Sequence, residues 1–232
     1  MPLTLVRRLP KQTLIRDGEN DPDIFGMSYN SARDELFLAD DDNKVVREMR
    51  VRDDADDLRD VYKGTLHDKL PYLWSVCHMN DSDTLLVCSY EIGPDRKLAH
   101  WLVALSRNGS DWREAQRVQT DGIGRISCAL SDSRVLIGNK SMSMELFRVE
   151  SGPRIARVHR IHVPEEYHLF SATCGSDTLV AMTYTWGQSV RVHRLRGDRL
   201  EELSRIQLQQ PWRLLWLADR LLVMTVRRTR TP

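Results

Sequence analysis

A short phrase recurs along this chain: a polar turn residue, a continuous apolar run, and then a second β-rich stretch. It reads DELFLAD, DTLLVCS, SRVLIGN, DTLVAMT and DRLLVMT, with first apolar residues Leu36, Leu85, Val135, Leu179 and Leu221. These markers are spaced 49, 50, 44 and 42 residues apart. A repeat of that length is one supersecondary unit, too small to bury its own apolar surface, so successive units must stack on one another. The apolar runs are short, branched and bounded by Asp, Ser and Asn, which makes them strands rather than helices.

Each unit divides into four strands by alternation and turn residues. The first unit reads IFGMSYN, ELFLAD, KVVREMRV and LRDVYKG, starting at Ile24, Glu35, Lys44 and Leu58. The same four roles start at Leu73, Thr84, Trp101 and Arg113, at Gly124, Arg134, Met144 and Ile155, and at Leu169, Thr178, Ser189 and Leu200. A fifth unit shows two strands, from Trp212 and Leu221. Asn108-Gly109-Ser110, Ser151-Gly152-Pro153 and Arg196-Gly197-Asp198 are hairpin tips between the third and fourth strands. The second strand of each unit is continuously apolar, as burial on both faces demands, and the fourth alternates, as a half-exposed outer strand should. Cys77, Cys128 and Cys174 fall near the end of the first strand in three consecutive units and read as small apolar side chains between units.

The expected fold class is therefore all-β: a β-propeller of four-stranded antiparallel blades. It forms a single domain over residues 1–232, with units at about 24–64, 73–120, 124–163, 168–208 and 212–232. Residues 1–16 supply a strand of a neighbouring or closing blade. About four and a half to five blades fit this length, which reads as an incomplete or truncated ring with open edges where self-association could occur.

Composition narrows the class of function. Lys and Arg total 34 and Asp and Glu 33, so no general attraction to nucleic acid or an anionic membrane follows. No stretch reaches the ~18 apolar residues of a membrane span; the nearest, Leu214 to Val226, is broken by Asp219 and Arg220. The start, MPLTLVRRLPKQ, has no long apolar core of a signal peptide. None of the four cysteines forms a CxxC pair. A reducing, cytoplasmic setting is the expectation.

No motif dictates a reaction. Asp40, Asp41 and Asp42 are the densest acidic run, but the spacing of a Ca²⁺ loop is missing, and they read as a solvated turn. His159 and His162 point to opposite faces of a strand and cannot share a metal. GxSxG, GxGxxG and GxxxxGK[ST] do not occur, so no catalytic residue, metal ligand or cofactor is assigned. The connections from a fourth strand to the next first strand are aromatic: Pro71-Tyr72-Leu73-Trp74, Glu166-Tyr167-His168-Leu169-Phe170 and Gln210-Pro211-Trp212. In stacked units these connections converge on one end. Tyr72, Tyr167, His168 and Trp212 are the candidate partner-contacting residues, because Tyr and Trp dominate interface energetics. Trp74 and Phe170, inside the first strand, are expected in the core. Arg154, Arg157 and Arg160, then Arg191, Arg194, Arg196 and Arg199, could line a basic outer rim able to touch phosphates. The interspersed Glu165, Glu166, Glu201 and Glu202 favour an ordinary solvated face.

Glu35 to Val51 resembles the blade signature of NHL and YWTD-type six-bladed propellers, on Asp40, Asn43, Val45, Val46 and Arg47. The resemblance covers one blade. The other units keep the strand pattern but have Cys88-Ser89-Tyr90, Gly138-Asn139-Lys140 and Thr183-Tyr184-Thr185 in place of the Asp–Asn turn, and no Gly-His or Trp-Asp pair marks a WD repeat, so the likeness is to NHL-like or WD-like propellers in general. It implies a non-catalytic platform for protein or RNA partners, of which a protein or peptide is the leading expectation. The alternatives it leaves are a metal-dependent, lactonase-like propeller hydrolase and an RNA-binding propeller of the NHL kind.

Overall fold

Four antiparallel four-stranded sheets and one two-stranded sheet follow one another along the chain. The computed structural model describes residues 20–30, 32–50, 58–63, 72–93, 95–122, 126–131, 133–138, 143–150, 153–163, 169–174, 178–184, 188–208, 211–217 and 220–225. The first sheet is β1 (Ile24–Asn30), β2 (Glu35–Asp40), β3 (Val45–Arg50) and β4 (Arg59–Lys63). The second is β5 (Tyr72–Met79), β6 (Thr84–Ile92), β7 (Leu98–Asn108) and β8 (Asp111–Thr120). The third is β9 (Ile126–Ser131), β10 (Arg134–Gly138), β11 (Ser143–Glu150) and β12 (Arg154–His162). The fourth is β13 (Leu169–Cys174), β14 (Leu179–Tyr184), β15 (Ser189–Arg196) and β16 (Arg199–Gln207). β17 (Pro211–Leu217) and β18 (Arg220–Thr225) form the fifth. Strand order within each sheet is sequential, and no helix occurs among the described residues.

Two of the three expected hairpin tips are formed as read, and the third, at Ser151-Gly152, lies outside the described residues. Asn108 pairs with Asp111, and Arg196 with Arg199, leaving two-residue tips. Each tip starts with a glycine in the left-handed region, Gly109 at φ 65° and Gly197 at φ 61°. That conformation matches the strand twist and is strained for other residues.

Successive sheets touch through corresponding strands. The inner strands β1, β5, β9, β13 and β17 adjoin in series, as do the outer strands β4, β8, β12 and β16. This arrangement is consistent with a propeller-like fold. Its apolar interior is split into layers, one between each pair of four-stranded sheets. Phe37, Ala39 and Val46 meet Leu85, Val87 and Leu105 between the first and second sheets. Leu86, Cys88 and Leu102 meet Val135, Ile137 and Phe147 between the second and third. Leu136, Met144 and Leu146 meet Val180, Met182 and Leu195 between the third and fourth. In β6, Leu85 and Val87 face backward while Leu86 and Cys88 face forward. Period-2 alternation thus buries every residue of that run, and its continuous apolarity follows.

The same facing corrects the fourth unit. Leu85 and Val135 face the preceding sheet, but in β14 the residue that does so is Val180, not Leu179. The marker is therefore displaced by one residue, and a one-residue slip moves a side chain to the opposite face. Cys77 and Cys128 do correspond, pairing with Leu86 and Leu136. Cys174 pairs with Val180, so the residue equivalent to Cys77 in the fourth sheet is Thr173, which pairs with Ala181.

Bulges recur at both edges. The ladder between the first two strands skips one inner-strand residue at Phe25, Trp74, Phe170 and Trp212. With the fourth unit re-registered, all four sit at the same step. The outer strands each carry an extra residue too, at Val61, Ala115, Val158 and Leu203. These outer bulges break the expected alternation of the fourth strands: β16 holds no buried residue, and Leu203 is exposed. Next to the first inner bulge, Gly26 brings β1 against the main chain of β5. A Cβ there would lie 2.7 Å from Ser75 Cα and 2.9 Å from Val76 N. Gly26→Ala is expected to lower unfolding free energy by about 1–3 kcal/mol, since backbone cannot yield as a flexible side chain can. Urea denaturation measures it; a loss under about 0.5 kcal/mol, ordinary for a surface substitution, would refute the close approach.

Candidate functional site

At one end of the first two sheets the aromatic residues gather into a continuous tier. β5 begins at Tyr72, directly opposite Tyr90 of β6. The two rings stack at 4.4 Å with an interplanar angle of 5°. Trp74 lies over the same Tyr90 at 5.9 Å, and Phe25 meets Trp74 edge-on at 4.9 Å, joining the bulged residues of adjacent sheets. His100 of β7, paired with Tyr90 in the ladder, tilts against its ring at 5.8 Å. Burial lowers the His100 pKa, favouring the neutral imidazole. On the outer side, Lys44 Nζ sits 4.1 Å above the Tyr72 ring, a cation–π contact. Every ring of this tier is half-buried.

The acidic turn beside it is a scaffold. The buried Asp40 carboxylate accepts hydrogen bonds from the Asp23 and Asn43 main-chain N–H groups at 3.2 and 3.3 Å. Asn43 Nδ2 donates to it at 2.9 Å, and the Arg47 guanidinium, fully buried, lies 3.4 Å away. Asp41 accepts from the Leu73 N–H at 2.9 Å and pairs with Lys44 at 3.1 Å, tying the turn to the head of β5. Among the described residues, no group of three His, Cys, Asp or Glu side chains is placed to hold a metal ion.

The opposite end carries a polar latch. Arg107, at the end of β7, forks onto Glu35 at the start of β2, at 3.0 and 2.5 Å. It also approaches Asp83 at 3.4 Å and Glu48 at 3.7 Å, and covers the Trp112 ring at 4.5 Å. Glu48 accepts from Trp112 Nε1 at 2.8 Å and from Arg59. His78 bridges Asn80 and Asp83, each at 3.1 Å, and stacks on Phe37 at 5.3 Å. Glu35 and Glu48 are both buried with cationic donors aimed at them, which suits them to holding sheets together rather than to acid–base work. Beside the latch lies a polar groove of about 300 Å³ lined by Arg59, Asp60, Ser110, Trp112 and Arg113.

Of the residues anticipated for partner contact, Tyr72 stands in the aromatic tier. Tyr167 and His168 lie outside the described residues. Trp212 occupies the bulge equivalent to Trp74, its side chain lying outside the described residues. Trp74 is half-buried rather than core, because the bulge takes it out of the alternation that buries Leu73. Tyr90, His100 and Lys44 were not anticipated. Their only signal was the hairpin register that sets Tyr90 opposite Tyr72. Cys77 and Cys88 are buried, and burial pushes the Cys88 pKa up to about 12; the side chains of Cys128 and Cys174 lie outside the described residues.

No protein-family model matches this chain, and no curated protein matches it. Solved structures do share its fold. One is a provisionally named 6-phosphogluconolactonase from Bacteroides uniformis, 13% identical, with a TM-score of 0.56 over 82% of this chain and 56% of that one. Another is Raptor from Chaetomium thermophilum, 15% identical, with a TM-score of 0.60 over 85% of this chain and 18% of that one. The chain thus spans just over half of the first protein and less than a fifth of the second. At these identities the likeness concerns the fold alone.

Proposed function

We propose that the sheets are successive blades of a β-propeller related to the NHL, YWTD or WD repeat types, and that the chain is a non-catalytic scaffold binding a peptide or protein loop at the aromatic end. The observation that supports this reading is the recurrence of an aromatic at the same inner-strand bulge in four sheets. Where the side chains are described, it joins Tyr72 and Tyr90 in one half-exposed tier. A bulge re-aims a side chain out of the core. In the first two sheets it brings Phe25 and Trp74 together at the end where the inner strands meet, and rigid aromatic rings there have the composition of an interface centre.

The test is selection of binders from a random displayed peptide library on the whole chain, followed by affinity measurement on the variants. Tyr72→Ala is expected to weaken the selected peptides by about thirtyfold, close to 2 kcal/mol. Trp74→Phe, which keeps a ring in the bulge, is expected to cost less. No enrichment, or binding indifferent to Tyr72→Ala, would overturn the proposal. The second reading is a metal-dependent lactonase-like hydrolase, with which the shared fold of a 6-phosphogluconolactonase is compatible. Saturable hydrolysis of 6-phosphogluconolactone, stimulated by added Ca²⁺ or Zn²⁺, would establish it in place of the first.

A further inference from the structure

The outer strand of the third sheet differs in charge from every other outer strand. β12 reads RIARVHRIH: five of its nine residues are basic and none is acidic. β4 carries Asp60, β8 carries Asp111 and Glu114, and β16 carries Glu201 and Glu202. Arg154, Arg157, His159, Arg160 and His162 are all exposed: Arg154 and His159, with exposed Arg148 opposite Ala156 on β11, on the side toward the fourth sheet, and Arg157, Arg160 and His162 on the side toward the second; exposed Glu150 lies opposite Arg154.

Two of these arginines are anchored from behind. Glu145, fully buried, pairs with Arg157 at 2.8 Å, and Asp121 pairs with Arg160 at 3.3 Å. Arg157 also donates to the Gln119 carbonyl at 2.7 Å and lies 3.6 Å from Asp121, whereas Arg160, 60% exposed, keeps donors for a ligand among the five of its guanidinium. Among the described residues, no ion pair joins Arg148, Arg154, His159 or His162. The outward main-chain groups of Ile155 are already held by the Gln116 side chain, which accepts from its N–H at 2.6 Å and donates to its C=O at 3.1 Å, so β12 offers a ligand its side chains.

We propose that β12, with Arg148, is a docking stripe for an acidic polypeptide segment in extended conformation. The stripe is one strand wide and about 30 Å long. The acids of β8 and β16 flank it on both sides. A single acidic chain can follow such a stripe, whereas a broad polyanion such as folded nucleic acid or a lipid surface would meet the flanking carboxylates. The stripe is separate from the aromatic end, so the two sites stand or fall independently.

The test is fluorescence anisotropy of a labelled nine-residue peptide of alternating glutamate and threonine, titrated with the whole chain. The wild type is expected to bind saturably. An Arg154→Glu/His159→Glu double variant should lose about tenfold or more in affinity, with its thermal melt unchanged because both side chains are exposed. Raising salt from about 50 to about 200 mM should weaken wild-type binding, since exposed charges are screened. Tyr72→Ala should leave it unaltered. The proposal is overturned if the wild type shows no saturation by about 1 mM, a millimolar dissociation constant being worth only about 4 kcal/mol, or if the double variant binds equally. It is also overturned if an oligo-uridine or phosphatidylserine vesicles bind more tightly through the same residues.

Discussion

Arg107→Ala is expected to lower the free energy of unfolding by about 3–5 kcal/mol, the cost of leaving a buried ion pair with one partner removed. The arginine holds Glu35 through its two terminal guanidinium nitrogens and lies near Glu48 and Asp83, and the carboxylates of Glu35 and Glu48 are buried. Alanine strips the charge from that site and uncovers the Trp112 ring. Glu35 is left with Asn30 Nδ2, at 3.2 Å, as a neutral donor. Arg107→Lys should recover only part of the loss, because an ammonium cannot reproduce the two-point fork. Chemical denaturation of both variants measures the effect. A loss below about 1 kcal/mol for Arg107→Ala, the range of exposed pairs, would mean that the latch is solvated and contributes little.

Phe37→Ala is expected to be as severe, at about 3–5 kcal/mol, by transfer loss plus the cavity left behind. Phe37 is fully buried between the first and second sheets, stacked on His78 and meeting Trp112 edge-on at 5.6 Å. Trp112 is the ring that Arg107 covers, so the two sites share a neighbour. The double variant should therefore cost less than the sum of the singles, and a double-mutant cycle reads that coupling directly. Additive losses would show that latch and apolar layer act separately. Phe37→Leu, which keeps most of the volume, should lose markedly less than Phe37→Ala.

The strands were legible because each carries its own local reason. IFGMSYN and ELFLAD coincide with β1 and β2 residue for residue, bounded by turn-forming Asn30 and Asp34. Continuous apolarity in the second strands announced burial on both faces, and Gly109 and Gly197 announced their hairpins. The aromatic end was legible only in part. Tyr72 could be picked out from its place before a first strand, but Lys44 comes from a turn 28 residues earlier and Tyr90 from the partner strand. Trp74 leaves the expected core position because a bulge is a property of the ladder between two strands: Leu73 and Ser75 pair with Ser89 and Cys88, and the residue between them is displaced. Nothing in β5 alone marks that step.

Local pattern by itself determined the strand list, the turns and the repeat, since alternation and φ preference act within a few residues. Tertiary structure alone decided which faces meet. It set Val180 rather than Leu179 toward the third sheet, and it joined Arg107 to Glu35 across 72 residues. Among the described outer strands, it also left β12 with cations and no acids. These outcomes depend on register and on packing between sheets, where a shift of one residue reverses every side chain without altering any strand's own pattern.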